Sequence, residues 1–115
     1  MHDIEHLRNQ LRDFAAARDW DQFHSPKNLA MALSAESAEL LEIFQWLTEE
    51  QSRAPSAEMK AAASDEIADV LLYLIRISDK LEIDPIAAAN RKLAANESKY
   101  PADKSRGSNK KYTEL

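Results

Sequence analysis

The chain has 115 residues, of which 44% are hydrophobic and 30% are charged, and it contains no cysteine. This length predicts one domain, and the absence of cysteine excludes disulfides and thiol chemistry. The net charge is −5, and it is unevenly spread: residues 102–115 carry four basic and two acidic groups, which leaves −7 on the rest of the chain. Nucleic-acid-binding proteins usually carry a broad basic face, so we expect no nucleic-acid partner.

Signals for membranes and secretion are not found in this sequence. No stretch reaches the roughly 20 apolar residues of a membrane span, and no charged-then-apolar leader opens the chain. We therefore expect a cytoplasmic protein without a membrane partner. One glycine and four prolines leave few helix breakers, so we predict an all-α fold with four or five helices.

The first half of the chain contains the first two predicted helices. Residues 4–18 have apolar side chains at helical spacing, with Asp3 as the N-cap. A linker with two aromatic residues and a histidine follows. Ser25 and Pro26 are typical of the N-cap and first position of a helix, and this second helix extends to about Leu47.

The third predicted helix follows a polar loop over residues 48–58, with its start marked by Pro55 and Ser56. It continues to Lys80 and is apolar nearly all round between residues 67 and 77, which is typical of a helix buried on all sides. One chain of this size cannot easily cover such a helix. We therefore expect a homo-oligomer with this helix near the subunit interface.

A fourth helix is predicted between Asp84-Pro85, which are typical of a helix start, and Tyr100-Pro101, where a helix must stop. The remaining residues, 102–115, are predicted to form a basic arm that is partly irregular. The predicted domain organisation is thus a helical domain over residues 1–101, followed by this arm.

Two pairs of carboxylates lie on helix faces that should be apolar. On a helical wheel, Glu36 is at the centre of an apolar stripe and Glu39 lies about 60° to one side; Glu66 and Asp69 repeat this arrangement. Buried carboxylates without partners cost several kcal/mol, so a cation is expected among them. Hard divalent ions with oxygen ligands fit best, above all Mg²⁺. The alternative is that both pairs lie on ordinary solvated faces.

Two further groups could contact a ligand. Trp46 points in nearly the same direction as Glu39 and could stack on a flat ligand, although Trp is also common in cores and interfaces. Lys92, Asn96 and Lys99 share one face of the fourth helix. Such a face is usually only solvated, but beside a metal site it could hold an anion.

In chain order, these residues resemble the MazG-like superfamily of all-α nucleoside triphosphate pyrophosphohydrolases, and within it the dCTP pyrophosphatase branch. The resemblance runs over nearly the whole chain. The matching pieces are Arg18-Asp-Trp-x-Gln-Phe-His24, Pro26-x-Asn-Leu29, Glu36-x-x-Glu39-Leu, Phe44-Gln-Trp46, Glu66-x-x-Asp69-Val, Tyr73-Leu, Asn96, Tyr100-Pro101, Ser105-Arg-Gly-Ser and Lys111-Tyr-Thr.

The resemblance implies a helical bundle that pairs into dimers or dimers of dimers. It implies cleavage of a nucleoside triphosphate between the α and β phosphates with Mg²⁺, for which Mn²⁺ can substitute. The implied metal-binding and catalytic residues are Glu36, Glu39, Glu66 and Asp69. The implied nucleotide pocket contains Trp20, Asp21, Gln22, Phe23, His24, Trp46 and Tyr73. The implied phosphate contacts are Lys92, Asn96 and Lys99, with Arg106 and Lys111 of the arm.

Three functional hypotheses follow. The first is hydrolysis of dCTP, or of modified dCTP analogues, to clean the nucleotide pool. The second is the same chemistry on dUTP or other non-canonical triphosphates, because animal members of the dCTP branch carry a histidine where this chain has Leu11. The third, from a different class, is a helical interaction module without turnover.

Overall fold

The computed structural model describes residues 3–114, which are helical and contain no strand. The six helices are α1 (Ile4–Ala17), α2 (Pro26–Phe44), α3 (Glu49–Ser52), α4 (Ala57–Lys80), α5 (Pro85–Lys99) and α6 (Ala102–Ser105). Two 3-10 turns lie at Asp21–Phe23 and Tyr112–Glu114. The prediction of an all-α fold is confirmed, and the four helices predicted individually correspond to α1, α2, α4 and α5. Among residues 3–114, no helix is both long enough and apolar enough to cross a lipid bilayer.

The predicted helix starts are confirmed by side-chain caps. Asp3 accepts a hydrogen bond from the backbone of His6 at 2.9 Å, and Ser25 accepts one from the backbone of Asn28 at 3.1 Å. Ser56 caps α4 and Asp84 caps α5 in the same way. Each cap satisfies a backbone N–H that the first helical turn leaves unpaired, so the short polar residues determine where these helices begin.

The chain forms two compact units, which divide in sequence between Glu82 and Ile83. In the first unit, α4 packs against both α1 and α2, which makes it the central helix. The buried apolar residues of the unit are contributed by all three helices. They are Ala15, Leu29, Ala63 and Ile75.

One face of α4 is left uncovered. Ile75 is buried, but Ile67 is 55% exposed, Leu71 39% and Leu74 42%. Because these three exposed side chains are spaced i, i+4 and i+7, they form one apolar stripe. The single chain thus covers only part of the helix, and the predicted oligomer interface stays a prediction.

The second unit contains α5, α6 and the final 3-10 turn. The rings of Tyr100 and Tyr112 meet edge to face, 6.1 Å apart, and the Lys99 ammonium lies 5.0 Å from the centroid of the Tyr112 ring. The arm, predicted to be partly irregular, contains a short helix and a turn that folds back on the end of α5.

The loop predicted over residues 48–58 also contains a helix, the short α3. The Thr48 hydroxyl accepts from the Gln51 backbone at 3.1 Å, and the Gln51 side chain accepts from the Thr48 backbone at 2.9 Å. This capping box satisfies two backbone donors at once and outweighs the polar composition of the segment. The second helix, α2, ends at Phe44, before the predicted end near Leu47.

Candidate active site

Three carboxylates meet where α2 packs against α4. Glu36, Glu39 and Glu66 each place one carboxylate oxygen within 4.8 Å of the others. The Oε2 atoms of Glu36 and Glu66 are buried and have no hydrogen-bond partner among residues 3–114. Asp69 lies outside this group of three, but its charge still acts on both Glu36 and Glu66. We refer to the group of three as the carboxylate cluster.

The surroundings of the carboxylate cluster favour protonated forms when no cation is bound. Burial, then the neighbouring Glu39 and Glu66, raises the pKa of Glu36 to about 7. Burial also raises the pKa of Glu66; the Glu36 side chain opposes this shift, while Glu39 and Asp69 add to it. Both shifts arise because water is excluded from the carboxylates while other negative charges approach them. A divalent cation would remove this cost.

Without divalent ions, the stability of the protein is expected to decrease as the pH rises from 5 to 8. Glu36 loses its proton near pH 4.5 in the unfolded chain but only near 7 when folded, so the folded state binds more protons in this range and unfolding becomes easier as pH rises. His24 has the opposite effect on stability. Its pKa is lowered in the folded protein, mainly by burial, so its contribution to stability increases as the pH rises.

Comparison with Glu36→Gln isolates the glutamate contribution. In EDTA between pH 5 and 8, the melting temperature of the variant should rise relative to that of the wild type as the pH increases. A constant difference across this range would contradict the raised pKa.

A cavity of about 160 Å³ lies beside the carboxylate cluster, with Asp69 in its wall. Its lining is mostly apolar and aromatic. The lining residues are Leu11, Phe14, Ala15, Trp20, His24, Asp69, Leu72, Tyr73 and Arg76. The Trp20 ring meets the Phe14 ring edge-on at 5.7 Å and the His24 ring at 6.5 Å. Such a cavity suits a flat ligand with a few polar edge atoms.

A network of ion pairs supports one wall of this cavity. The Arg76 guanidinium, which is 6% exposed, donates to Nδ1 of His24 at 3.0 Å and to the Asp21 carboxylate at 2.8 Å. Lys80 also donates to Asp21, and these contacts, led by Lys80, lower the pKa of the Asp21 carboxyl. Asp21 is thus engaged in ion pairs within the chain, and its predicted contact with substrate stays a prediction.

Three other predicted pocket residues lie outside the cavity lining. The Gln22 side chain donates to both the backbone oxygen and the carboxylate of Asp19 at 3.0 Å. Phe23 is exposed, although its carbonyl accepts a hydrogen bond from Asn28 at 3.0 Å, which ties the linker to α2. Trp46 is 87% exposed.

The predicted phosphate-binding residues belong to the second unit. Asn96 is half-buried and the four cationic residues are exposed to solvent. These four are Lys92, Lys99, Arg106 and Lys111. Their contact with phosphate stays a prediction, as do the metal-binding and pocket assignments made from the sequence.

Sequence reasoning missed Arg76 as a member of the site. Its position three residues after Tyr73 and seven after Asp69 puts it on the same face of α4 as these two predicted site residues. This spacing could have indicated that Arg76 lies near the site. Its partners Asp21 and His24 lie 55 and 52 residues earlier in the chain, and the spacing along α4 gives no hint of them.

The fold and the site define a class of protein: an α-helical domain with a carboxylate cluster between two helices and an aromatic cavity beside it. The sequence model of the MazG-like family matches residues 31–115. The chain belongs to the MazG-like family, as the sequence motifs predicted.

Curated relatives and a solved structure agree with this assignment. The chain is 41% identical over 114 residues to dCTP pyrophosphatase 1 of Homo sapiens, covering 97% of this chain and 67% of the human protein. The identity to dCTP pyrophosphatase 1 of Mus musculus is 42%, with the same coverage. A crystal structure of a pyrophosphatase from Archaeoglobus fulgidus superimposes with a TM-score of 0.82 at 46% identity, covering 88% of this chain and 94% of the archaeal one.

Proposed function

We propose that the protein is a cytoplasmic enzyme that hydrolyses dCTP to dCMP and pyrophosphate and so cleans the nucleotide pool. The observation that carries the proposal is the pair of buried, partnerless Oε2 atoms of Glu36 and Glu66. Buried carboxylate oxygens without a partner are costly in a purely structural role. The names of the curated relatives support dCTP as the substrate.

The donor set of the cluster fits Mg²⁺, with Mn²⁺ as a substitute. Carboxylate oxygens are the ligands that these hard cations prefer, and the cluster offers oxygens from two helices without a competing Lys or Arg hydrogen bond among residues 3–114. Glu36, Glu39, Glu66 and Asp69 would hold the metal. When bound, the ion supplies charge neutralisation for phosphate oxygens and lowers the pKa of a bound water.

The aromatic cavity would receive the base. Its volume of about 160 Å³ is below the 300–1,000 Å³ typical of sites that enclose a whole drug-sized ligand, so it suits one ring of the nucleotide. Trp20 and Tyr73 in its lining offer ring faces or edges against which a pyrimidine can pack. Asp69 belongs to the cavity wall and also acts on the cluster, so it would connect the base site with the metal site.

We further propose that the chain functions as a homo-oligomer, a dimer or a dimer of dimers. The support is the exposed apolar stripe of Ile67, Leu71 and Leu74 on α4. This stripe lies on the helix that also carries Glu66 and Asp69, so association would bury a surface next to the active site.

A panel of nucleotides tests the proposed activity. Wild-type protein with Mg²⁺ is incubated with the canonical dNTPs and NTPs and with 5-modified dCTP analogues, and the products are separated as mono- or diphosphates. We expect dCMP and pyrophosphate, with the highest kcat/KM for dCTP. Absence of Mg²⁺-dependent turnover with every triphosphate would contradict the enzyme proposal and favour a helical interaction module.

A second candidate is the same reaction with a preference for dUTP or other non-canonical triphosphates. The observation in its favour is Leu11, an apolar side chain that lines the cavity at the position where the sequence resemblance implies a histidine. The same panel separates the two candidates, because monophosphate and pyrophosphate would then form fastest from a nucleotide other than dCTP.

A further inference from the structure

We propose that Arg76 is a positioning residue that fixes the His24 ring with its proton on Nε2, so that the cavity presents a hydrogen-bond donor to an acceptor atom of the base. The proposal rests on the proposed function, because it assigns the cavity to a nucleotide base. It goes beyond that function in naming the residue that makes His24 a donor.

The contact between Arg76 and His24 determines the tautomer. Arginine is always protonated and has only donors, and here its Nε–H donates to Nδ1 of His24 at 3.0 Å. An imidazole nitrogen that accepts a hydrogen bond carries no proton. The proton of the neutral ring must therefore be on Nε2.

The Arg76 guanidinium is itself held from two sides. It donates to Asp21 at 2.8 Å and lies 3.7 Å from the carboxylate of Asp79. Asp79 is in turn fixed by two hydrogen bonds from Arg12, at 2.7 and 2.5 Å. Because the guanidinium is planar and 6% exposed, it cannot turn away from His24 without breaking these contacts.

The surroundings also keep the ring neutral. Burial disfavours the charged imidazolium, and the positive charges of Arg76 and Lys80 act in the same direction, so the pKa of His24 is lowered; the negative charge of Asp21 opposes this only in part. A neutral ring with Nδ1 occupied has one remaining polar atom, Nε2–H.

That donor is available to a ligand. His24 lines the cavity together with Trp20 and Tyr73. Within residues 3–114 its ring accepts a hydrogen bond at Nδ1, from Arg76. Cytosine has an acceptor at ring position N3, whereas uracil and thymine carry N3–H there. A fixed Nε2–H donor can pair with N3 of cytosine. Against uracil it faces another donor, N3–H, and both groups stay unpaired, which would favour dCTP over dUTP.

Nitrogen NMR of the histidine rings tests the tautomer directly. The sequence has three histidines, so the His24 signals can be assigned by their loss in His24→Phe. In the wild type at pH 7.5, Nδ1 should show the shift of an unprotonated nitrogen and Nε2 that of a protonated one. Protonated Nδ1 would overturn the proposal, and this measurement does not depend on turnover.

Kinetics then test whether Arg76 acts through His24. Lysine keeps the charge but loses the guanidinium fork, so Arg76→Lys should mix the His24 tautomers. It should also raise the KM for dCTP by the inverse of the fraction of His24 that keeps its proton on Nε2, which is about twofold for an equal mixture of tautomers. The kcat should change little, and the preference for dCTP over dUTP should shrink.

Two controls separate positioning from a structural role. In a His24→Phe background, Arg76→Lys should cause no further change in the KM ratio of dCTP to dUTP. Arg53→Lys changes an exposed arginine that pairs with Glu49, outside this network, and should leave the His24 spectrum and this ratio unchanged. An equal rise in KM for both nucleotides in Arg76→Lys, with the tautomer intact, would overturn the proposal. If no triphosphate is hydrolysed, the proposed function fails, while the wild-type spectrum still decides the tautomer.

Discussion

Glu36→Gln is expected to lower kcat for dCTP by at least about a hundredfold. The substitution keeps the shape of the side chain but removes the charge at the centre of the carboxylate cluster. Metal ions supply several kcal/mol of charge stabilisation in phosphate chemistry, and about 2.7 kcal/mol corresponds to a hundredfold in rate. Steady-state release of pyrophosphate at saturating Mg²⁺ measures the loss.

A matched control comes from the same helix. Glu42 is exposed on α2, about 120° away from Glu36 around the helix, and Glu42→Gln should retain wild-type activity. The far-UV circular dichroism of both variants should match the wild type. If Glu36→Gln retained a tenth or more of the activity, the carboxylate cluster would not be the catalytic metal site.

Leu71→Glu is expected to convert the proposed oligomer into monomers. Leu71 is the middle residue of the exposed apolar stripe on α4, between Ile67 and Leu74. Burying an unpaired carboxylate in an interface costs several kcal/mol, and each 1.4 kcal/mol weakens association tenfold, so the dissociation constant should rise about a thousandfold or more. Sedimentation velocity at micromolar concentration measures the change.

The control for this prediction is Ala61→Glu, another exposed position of α4 that lies about 80° or more away from the stripe around the helix. This variant should sediment like the wild type. A wild-type protein that sediments as a monomer, or a Leu71→Glu variant that remains oligomeric, would contradict the proposal that the stripe forms the interface.

Much of the fold is determined locally and could be predicted from the sequence. Ser25 with Pro26 and Asp84 with Pro85 specify helix starts through interactions within a few residues, and the structure has those starts. The positions of Glu36 and Glu66 on apolar stripes follow from helical periodicity alone, because 3.6 residues per turn determine which side chains share a face. That the two stripes would meet could be inferred from the cost of leaving them exposed.

Other features were decided only by tertiary packing. Arg76 gains its role from Asp21 and His24, which approach it because α4 packs beside the linker after α1, and no local pattern encodes contacts across more than 50 residues. Asp69 shares its motif with Glu66, yet it lines the cavity instead of joining the cluster of three. The sequence by itself thus determined the helices and the chemistry of their faces. The tertiary structure decided which side chains of those faces meet, because the distances between helices depend on how the whole core packs.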